Sequence, residues 1–287
     1  MRREPLTDRL GRTHTYLRIS VTDRCNYRCV YCMPPEGLSW RPRADLLTFE
    51  EIARLVGVFA QMGVRKVRLT GGEPTVRADI KSLIAGIARC EGIVDVAMTT
   101  NGHTLAKLAP ALAEAGLRRI NVSVDTLKAD RFKSLTRGGD LDRVLAGIEA
   151  ARAAGIGPVK INAVLLRDEN EDELFDLVDY FARWPHDTEL RFIEYMPFGS
   201  RWHKSIPSAE LRKRLSTRFT VERAHRKGAA DGPIEVTHAR VSRAVEEMGV
   251  PTFLGGMARG LLGHHPEVQF RHKRGKALKE AALVVVC

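Results

Sequence analysis

Three closely spaced cysteines near the start of the chain could together bind a metal centre. Cys25, Cys29 and Cys32 form a CxxxCxxC pattern, which can place three thiolates on one short loop. Thiolate is the ligand that soft metals and iron–sulfur clusters select. Since no fourth cysteine lies nearby, a four-iron cluster held here would keep one iron open to a small-molecule ligand.

The same three cysteines have two simpler explanations. They could bind zinc together with a distant histidine, or they could be structural residues without a metal. The other two cysteines, Cys90 and Cys287, are isolated in the sequence. We expect Cys90 to be a small buried residue and not a metal ligand. Five cysteines in this arrangement argue against a disulfide scaffold and predict a reducing cytoplasmic environment.

Composition predicts a globular protein with an anionic partner. The 287 residues are 44% hydrophobic, enough for one large α/β domain or a domain with a smaller addition. The 46 Lys and Arg residues exceed the 35 Asp and Glu residues, giving a net charge of +11, which suits a nucleotide, a nucleic acid or a phosphorylated substrate. The sequence contains neither a leader-like apolar region nor an apolar stretch of the roughly 18 residues that a membrane span needs.

Short β-branched runs alternate with longer amphipathic stretches from about residue 15 onward. The predicted strands cover residues 16–21, 66–70, 94–99, 119–124, 159–165 and 189–195. The predicted helices cover residues 48–62, 79–89, 104–115, 141–154, 171–182 and 208–218. Thr48 and Glu51 form a capping-box pattern, and Gly63, Gly116 and Gly155 stand where helices should end. Six βα units in succession predict a parallel sheet, either doubly wound or curved into a barrel.

The alternation of side chains along these strands favours the barrel. One face of each predicted strand is apolar and the other is polar, as expected for a curved sheet with helices outside and a wet interior. The polar face carries four cations from four strands, Arg18, Arg68, Lys160 and Arg191. They predict a polyanionic ligand inside a partial barrel, although the polar residues could also satisfy one another at the strand ends.

Turn signals follow three successive predicted strands. Residues 71–74 read Gly-Gly-Glu-Pro, residues 99–102 read Thr-Thr-Asn-Gly, and residues 121–125 read Asn-Val-Ser-Val-Asp. Two glycines in a row let the backbone approach a ligand closely. Ligands bind at the carboxyl ends of parallel strands, so these segments predict a binding site at one edge of the sheet.

The cysteine loop, with Tyr31 just before its third cysteine, and the three turns together resemble the radical S-adenosylmethionine (SAM) superfamily. Within it, the segments 17–25, 68–74, 99–102 and 191–196 are most similar to enzymes that cyclise GTP in molybdenum cofactor biosynthesis. The resemblance covers residues 10–220 and implies a partial (βα)6 TIM-like barrel of the radical SAM type.

The resemblance also implies roles for individual residues. Cys25, Cys29 and Cys32 would hold one [4Fe–4S] cluster whose fourth iron binds SAM. Further contacts to SAM would come from Tyr31, Gly72, Ser123 and Met196, and contacts to GTP from Arg18, Arg68, Thr99 and Lys160. With an electron donor, such an enzyme cleaves SAM to a 5′-deoxyadenosyl radical, which takes a hydrogen atom from the GTP ribose. The product would be (8S)-3′,8-cyclo-7,8-dihydroguanosine 5′-triphosphate.

Beyond about residue 220 this resemblance ends. The resembled enzymes carry a second three-cysteine cluster in this region, whereas the only cysteine here is Cys287, so the second cluster is predicted to be absent and GTP cyclisation impaired. Residues 241–287 instead resemble part of the central domain of thiamine diphosphate-dependent acetolactate synthase-type enzymes. We therefore expect a radical SAM core at 1–223, a junction at 224–240, and an incomplete, unrelated α/β segment at 241–287.

Two functions of other classes fit some of these observations. A non-catalytic nucleotide- or nucleic-acid-binding protein would explain the basic charge, and a structural zinc module would explain the cysteines. The basic segment 271–276 lacks interleaved aromatic residues, which favours a solvated surface over a nucleic-acid site.

Overall fold

The protein folds as an alternation of parallel strands and helices in a computed structural model that describes residues 5–7, 11–184, 186–195 and 202–221. The strands are β1 (Tyr16–Ser20), β2 (Lys66–Thr70), β3 (Asp95–Thr100), β4 (Arg119–Ser123), β5 (Val159–Ala163) and β6 (Thr188–Phe192). The helices are α1 (Phe49–Gln61), α2 (Ile80–Ala88), α3 (Leu105–Glu114), α4 (Ala129–Thr136), α5 (Leu141–Ala153), α6 (Leu174–Phe181) and α7 (Ser208–Leu215). None of the described helices has the length and hydrophobicity to cross a membrane.

The six strands lie side by side in chain order, and every neighbouring pair is parallel. A doubly wound sheet would reverse its strand order at a switch point. This sheet has no such reversal, and β1 and β6 are its two edges within the described residues. The arrangement is the predicted partial barrel of six units.

The outward face of the sheet forms the core with the helices. Side chains at alternate positions of the central strands are completely buried, among them Val67, Leu69, Ile120, Val122 and Ile161. The intervening side chains face the inside of the curve and are mostly polar. The predicted division into an apolar outer face and a polar inner face is therefore confirmed.

Local signals for helix ends are also confirmed. The Thr48 side chain accepts from the Glu51 N–H and the Glu51 side chain accepts from the Thr48 N–H, which is the predicted capping box. Gly63, Gly116 and Gly155 have φ of +95°, +102° and +75°, the left-handed region in which glycine ends helices. The strand predictions agree with the structure to within three residues, but helix α4 was not predicted.

Candidate active site

The cysteine loop that follows β1 is held against helix α4 by backbone hydrogen bonds. The Arg28 N–H donates to the Thr136 carbonyl at 3.0 Å, and the Val30 N–H donates to the Leu135 carbonyl at 2.9 Å. The Arg137 guanidinium, at the end of α4, donates back to the Arg28 carbonyl at 3.0 Å. The unpredicted helix thus supplies a wall for the loop.

On its other side the loop lies against the turn after β2. The Gly72 N–H donates to the Thr22 carbonyl, and the Glu73 N–H donates to the Arg24 carbonyl, both at 2.8 Å. A Cβ atom at Gly72 would lie 2.3 Å from the Arg24 carbonyl oxygen, and one at Gly71 would lie 2.3 Å from the Thr22 oxygen. The two glycines were predicted to approach a ligand, and the structure shows that they also pack against the backbone that leads into the cysteine loop.

The carboxylate of Glu73 joins the end of β2 to the end of β3. Its side chain is 1% exposed and accepts from the Thr75 N–H and hydroxyl, the Thr100 hydroxyl and the Asn101 N–H, at 2.6–3.0 Å. Burial raises the pKa of Glu73, while these hydrogen bonds lower it. Through these four hydrogen bonds the buried carboxylate connects the turn after β2 to the turn after β3.

Tyr31 connects the cysteine loop to the end of β4. Its hydroxyl donates to Asp125 Oδ2 at 2.6 Å, and Asp125 Oδ1 accepts from the Val164 N–H at 2.8 Å. Burial raises the pKa of Asp125 to about 6, although both hydrogen bonds oppose the shift. Burial also raises the pKa of Tyr31, so the phenol is the proton donor of the pair.

The three cysteines occupy partly buried positions on this anchored loop. Cys25 and Cys29 are half-buried and Cys32 is exposed. Cys25 Sγ accepts from the Tyr27 N–H at 3.4 Å and from Asn101 Nδ2 at 3.9 Å. Burial raises the pKa of all three thiols, and in Cys25 and Cys29 the charge of neighbouring thiolates raises it further. A metal group that takes the thiol protons would relieve this cost.

Three thiols on one loop are a donor set that suits an iron–sulfur cluster. Among the described residues, no group of three Cys, His, Asp or Glu side chains is close enough to hold one metal ion. An iron–sulfur cubane binds each cysteine through a different iron atom, so its ligands lie farther apart than those of a zinc ion.

Two arginines lie next to each other on the inner face of β1 and β2. Arg18 and Arg68 are register partners. Arg68 is 7% exposed and donates to the hydroxyl of Tyr16 and, at 3.3 Å, to the hydroxyl of Thr99. Both hydroxyl partners of Arg68 are neutral, so they do not cancel its positive charge.

The inner face of β5 and β6 carries charges of both signs. Lys160 and Arg191 each donate to Glu189 at 2.7 Å, so this carboxylate lies between two of the four predicted cations. A fifth inward cation, Arg119 on β4, is paired with Asp95 on β3. Strand alternation identified the cations, but only the structure shows which of them already have a carboxylate partner.

Two asparagines on the inner face have an unsatisfied buried oxygen. Asn121 Oδ1 and Asn162 Oδ1 accept no hydrogen bond from the described residues. In the strand register Asn121 is paired with Lys160, and Asn162 is paired with Arg191. A buried polar group without a partner costs free energy, which is consistent with an inner face that is completed by a polar ligand.

The structure brings together all but one of the predicted site residues. Cys25, Cys29, Cys32, Tyr31, Gly72 and Ser123 lie at the carboxyl ends of β1, β2 and β4. Arg18, Arg68, Thr99 and Lys160 lie on the inner face of β1, β2, β3 and β5. Met196 lies outside the described residues. Asp125 and Asn101 were missed as site residues, although both stand in the turn segments that follow predicted strands.

Comparison with known families decides how this arrangement is classified. The family model described as the Radical SAM superfamily matches residues 19–181, which include the cysteine loop, the turns and strands β2 to β5. The chain belongs to the radical SAM superfamily. This superfamily uses a [4Fe–4S] cluster and SAM, in agreement with the three-thiol loop and its glycine turn.

Several curated proteins resemble this radical SAM chain closely. It is 53% identical over 200 residues to molybdenum cofactor biosynthesis protein 1 of Drosophila melanogaster, covering 69% of this chain and 35% of that protein. It is 50% identical over 226 residues to the GTP 3′,8-cyclase of Rhodopseudomonas palustris, covering 76% of this chain and 64% of that protein. The chain thus spans less than two thirds of the length of either relative.

Solved structures of more distant proteins share the fold. Streptococcus suis SuiB bound to S-adenosylmethionine matches 70% of this chain and 47% of its own, with a TM-score of 0.54 and 21% identity. Methylornithine synthase matches 67% of this chain and 57% of its own, with a TM-score of 0.52 and 18% identity. At these identities the likeness supports the radical SAM fold alone.

Proposed function

We propose that this protein is a radical SAM enzyme of the GTP 3′,8-cyclase type. The observation that carries the proposal is the combination of a cationic inner face of the partial barrel with three thiols on the loop that follows β1. Identity of about half of the residues to proteins named GTP 3′,8-cyclase supports the same activity. Such an enzyme acts on GTP, and it needs an electron donor.

Cys25, Cys29 and Cys32 would be the three protein ligands of the cluster. When bound, the cluster and SAM supply one-electron chemistry that is the cofactors' own. The chain contributes position, because hydrogen bonds to α4, to the β2 turn and to Asp125 fix the loop. Such a loop requires reduced thiols, and we propose a cytoplasmic location.

Four residues would contact SAM at the carboxyl ends of the strands. Tyr31 is oriented by its hydrogen bond to Asp125, Gly72 exposes backbone without a side chain, and Ser123 ends β4. Met196 is the fourth residue. Together they would orient SAM between the cysteine loop and the inner face, excluding water from the reacting atoms.

The triphosphate of GTP would bind along the inner face. Arg18 and Arg68 offer adjacent guanidinium groups that match phosphate oxygens in geometry and charge. Thr99 accepts from Arg68 and so keeps a hydroxyl close to the same anion. Lys160 lies two strands from Thr99 in the same row, which would let an extended polyanion reach it.

We further propose that the 287-residue chain cleaves SAM better than it cyclises GTP. The family's second cluster needs three further cysteines, and residues 220–287 contain one, Cys287. The proposed junction at 224–240 and the acetolactate synthase-like segment at 241–287 fall outside the described residues. Without a second cluster, the guanine base would lack its binding site at the open side of the barrel.

Anaerobic reconstitution with iron and sulfide tests the proposal. We expect about four irons per chain and release of 5′-deoxyadenosine with dithionite, SAM and GTP, but little cyclised nucleotide. A Cys25→Ser variant should lose the iron, whereas the matched Cys90→Ser variant should keep it.

Zinc in place of iron would support the structural zinc module, and salt-sensitive GTP binding without iron would support a non-catalytic binding protein. Efficient cyclisation would contradict the proposed impairment.

A further inference from the structure

Glu189 lies within the group of inner-face cations and contacts two of them. Glu189 on β6 and Lys160 on β5 are register partners, and Lys160 Nζ lies 2.7 Å from Glu189 Oε2. Arg191 is two residues further along β6 on the same face, and its Nε lies 2.7 Å from Glu189 Oε1. Each carboxylate oxygen therefore holds one cation.

All three side chains of this group are partly shielded from water. The exposed fractions are 12% for Lys160, 23% for Arg191 and 36% for Glu189. Burial alone would raise the pKa of Glu189, but hydrogen bonds from Arg191 and Lys160 outweigh it and lower the pKa to about 2. Glu189 therefore carries a full negative charge at neutral pH, inside a site whose ligand is an anion.

The arginine pair at the opposite side of the sheet is different. Arg68 is hydrogen-bonded to the hydroxyls of Tyr16 and Thr99, and no described carboxylate forms an ion pair with Arg18 or Arg68. The inner face therefore combines Arg18 and Arg68 with cations that already contact a carboxylate: Lys160 and Arg191 share Glu189, and Arg119 is paired with Asp95. An extended polyanion would meet both kinds, whereas a single phosphate could bind at the arginine pair alone.

We propose that Glu189 is a resident counter-anion, and that an extended polyphosphate must displace it from Lys160 and Arg191 to bind along the full inner face. This inference rests on the proposed function, since it uses the inner face as the phosphate site. In the exchange the two cations leave carboxylate oxygens for phosphate oxygens, and no covalent bond changes. Glu189 is thus a positioning residue that holds both cations inside the barrel and sets how strongly charged a ligand must be.

The test is the affinity of the purified full chain for inorganic tripolyphosphate and for orthophosphate, measured by titration calorimetry at constant ionic strength. Glu189→Gln keeps the shape of the side chain and removes its charge. We expect tripolyphosphate to bind about tenfold more tightly to this variant, because a like charge is removed from the site. Orthophosphate affinity should change less than threefold.

Glu149→Gln is the matched control. Glu149 forms an exposed ion pair with Arg152 on helix α5, so the variant has the same change in net charge without a change in the inner face. Its affinity for tripolyphosphate should equal that of the unaltered protein. A tenfold gain in this control as well would assign the effect to net charge and overturn the proposal.

A purely structural role for Glu189 predicts the opposite sign, since Lys160 and Arg191 would lose their positions and tripolyphosphate would bind more weakly. Weaker or unchanged binding to Glu189→Gln therefore overturns the proposal.

If Glu189→Gln does not fold, Glu189→Asp serves instead. Its shorter carboxylate should hold only one cation and give an intermediate gain, and the absence of any gain would overturn the proposal. Tripolyphosphate binding requires neither iron nor SAM, so a failure of the proposed radical chemistry is distinguishable from a failure here.

Discussion

At the scale of single residues, the glycine after β2 shows how a residue that is predicted to contact a ligand can also be required for packing. Gly72 was predicted to contact SAM, and it also lies against the backbone of the cysteine loop. A side chain there would meet Arg24 backbone atoms, which cannot move aside as a flexible side chain can. Gly72 therefore lets the turn after β2 pack closely against the cysteine loop.

We expect Gly72→Ala to separate the cysteine loop from the β2 turn. The new Cβ would lie 2.3 Å from the Arg24 carbonyl oxygen, and the strain should cost about 1–3 kcal/mol of the free energy of unfolding. Denaturant unfolding and iron uptake during reconstitution would both report the loss. Gly57→Ala is the control, because its Cβ meets no atom within 4 Å and alanine is favoured in helix α1. Equal stability of Gly72→Ala and the unaltered chain would contradict this account.

Tyr31 provides a second prediction at the residue scale. Tyr31→Phe removes the hydroxyl that donates to Asp125, a side chain only 4% exposed. Leaving a buried carboxylate oxygen without its donor should cost about 1–3 kcal/mol, measured by denaturant unfolding of the metal-free protein at neutral pH. In the control Tyr180→Phe, the lost hydroxyl has no hydrogen-bond partner among the described residues, so stability should change little. A Tyr31→Phe variant as stable as the control would show that the loop does not depend on this bond.

At the scale of secondary structure, the joint between β2 and β3 depends on one buried acid. Glu73 accepts four hydrogen bonds from Thr75, Thr100 and Asn101. Glu73→Gln replaces one carboxylate oxygen with an NH2 group, which cannot accept a hydrogen bond. Depending on the orientation of the amide, either the bond from the Asn101 N–H or the bonds from Thr75 and Thr100 are lost. We therefore expect the free energy of unfolding to fall by about 1–3 kcal/mol. Thermal unfolding would measure this loss. The control Glu91→Gln changes an exposed residue of a surface turn, and a similar loss in both variants would contradict the special role of Glu73.

The elements themselves were largely predictable because most of them alternate strongly in hydrophobicity. Strand β2 was predicted with its observed bounds, and α1 differs by one residue at each end. Helix α4 was missed because its sequence is rich in charged residues and only Phe132, Leu135 and Thr136 are buried. It is also only eight residues long, yet its last turn holds the cysteine loop.

Side-chain contacts between different segments of the barrel could not be predicted, because they depend on how segments that are separated in sequence are aligned in the fold. Alternation identified Lys160, Glu189 and Arg191 as residues of the polar face. It did not indicate that one carboxylate lies between the two cations. The same limit applies to Tyr31 and Asp125, which are 94 residues apart in the chain and 2.6 Å apart in the fold.

At the scale of the whole molecule, one hydrophobic core connects the described elements from β1 to α7. Its buried hydrophobic side chains run from Val21 to Leu211, and the family model matches residues 19–181. Among the described residues, the last of the helices is α7, which ends at Leu215. The described part of the chain therefore has the layers that a self-contained α/β domain needs.

We expect a chain that ends after residue 223 to fold and to bind iron like the full chain. Since the described core and all three proposed cluster ligands precede this point, removing residues 224–287 should change the midpoint of thermal unfolding by only a few degrees, about the effect of 1 kcal/mol in a domain of this size. Iron per chain after reconstitution should be equal in the two proteins. A second shortened chain, ending after residue 204, is the control, because it lacks helix α7, whose Leu211 is buried, and it should lose stability. If the chain ending at 223 unfolds cooperatively but takes up less iron, residues 224–287 contribute to the site, and the proposed boundary between an active core and an unrelated segment is wrong.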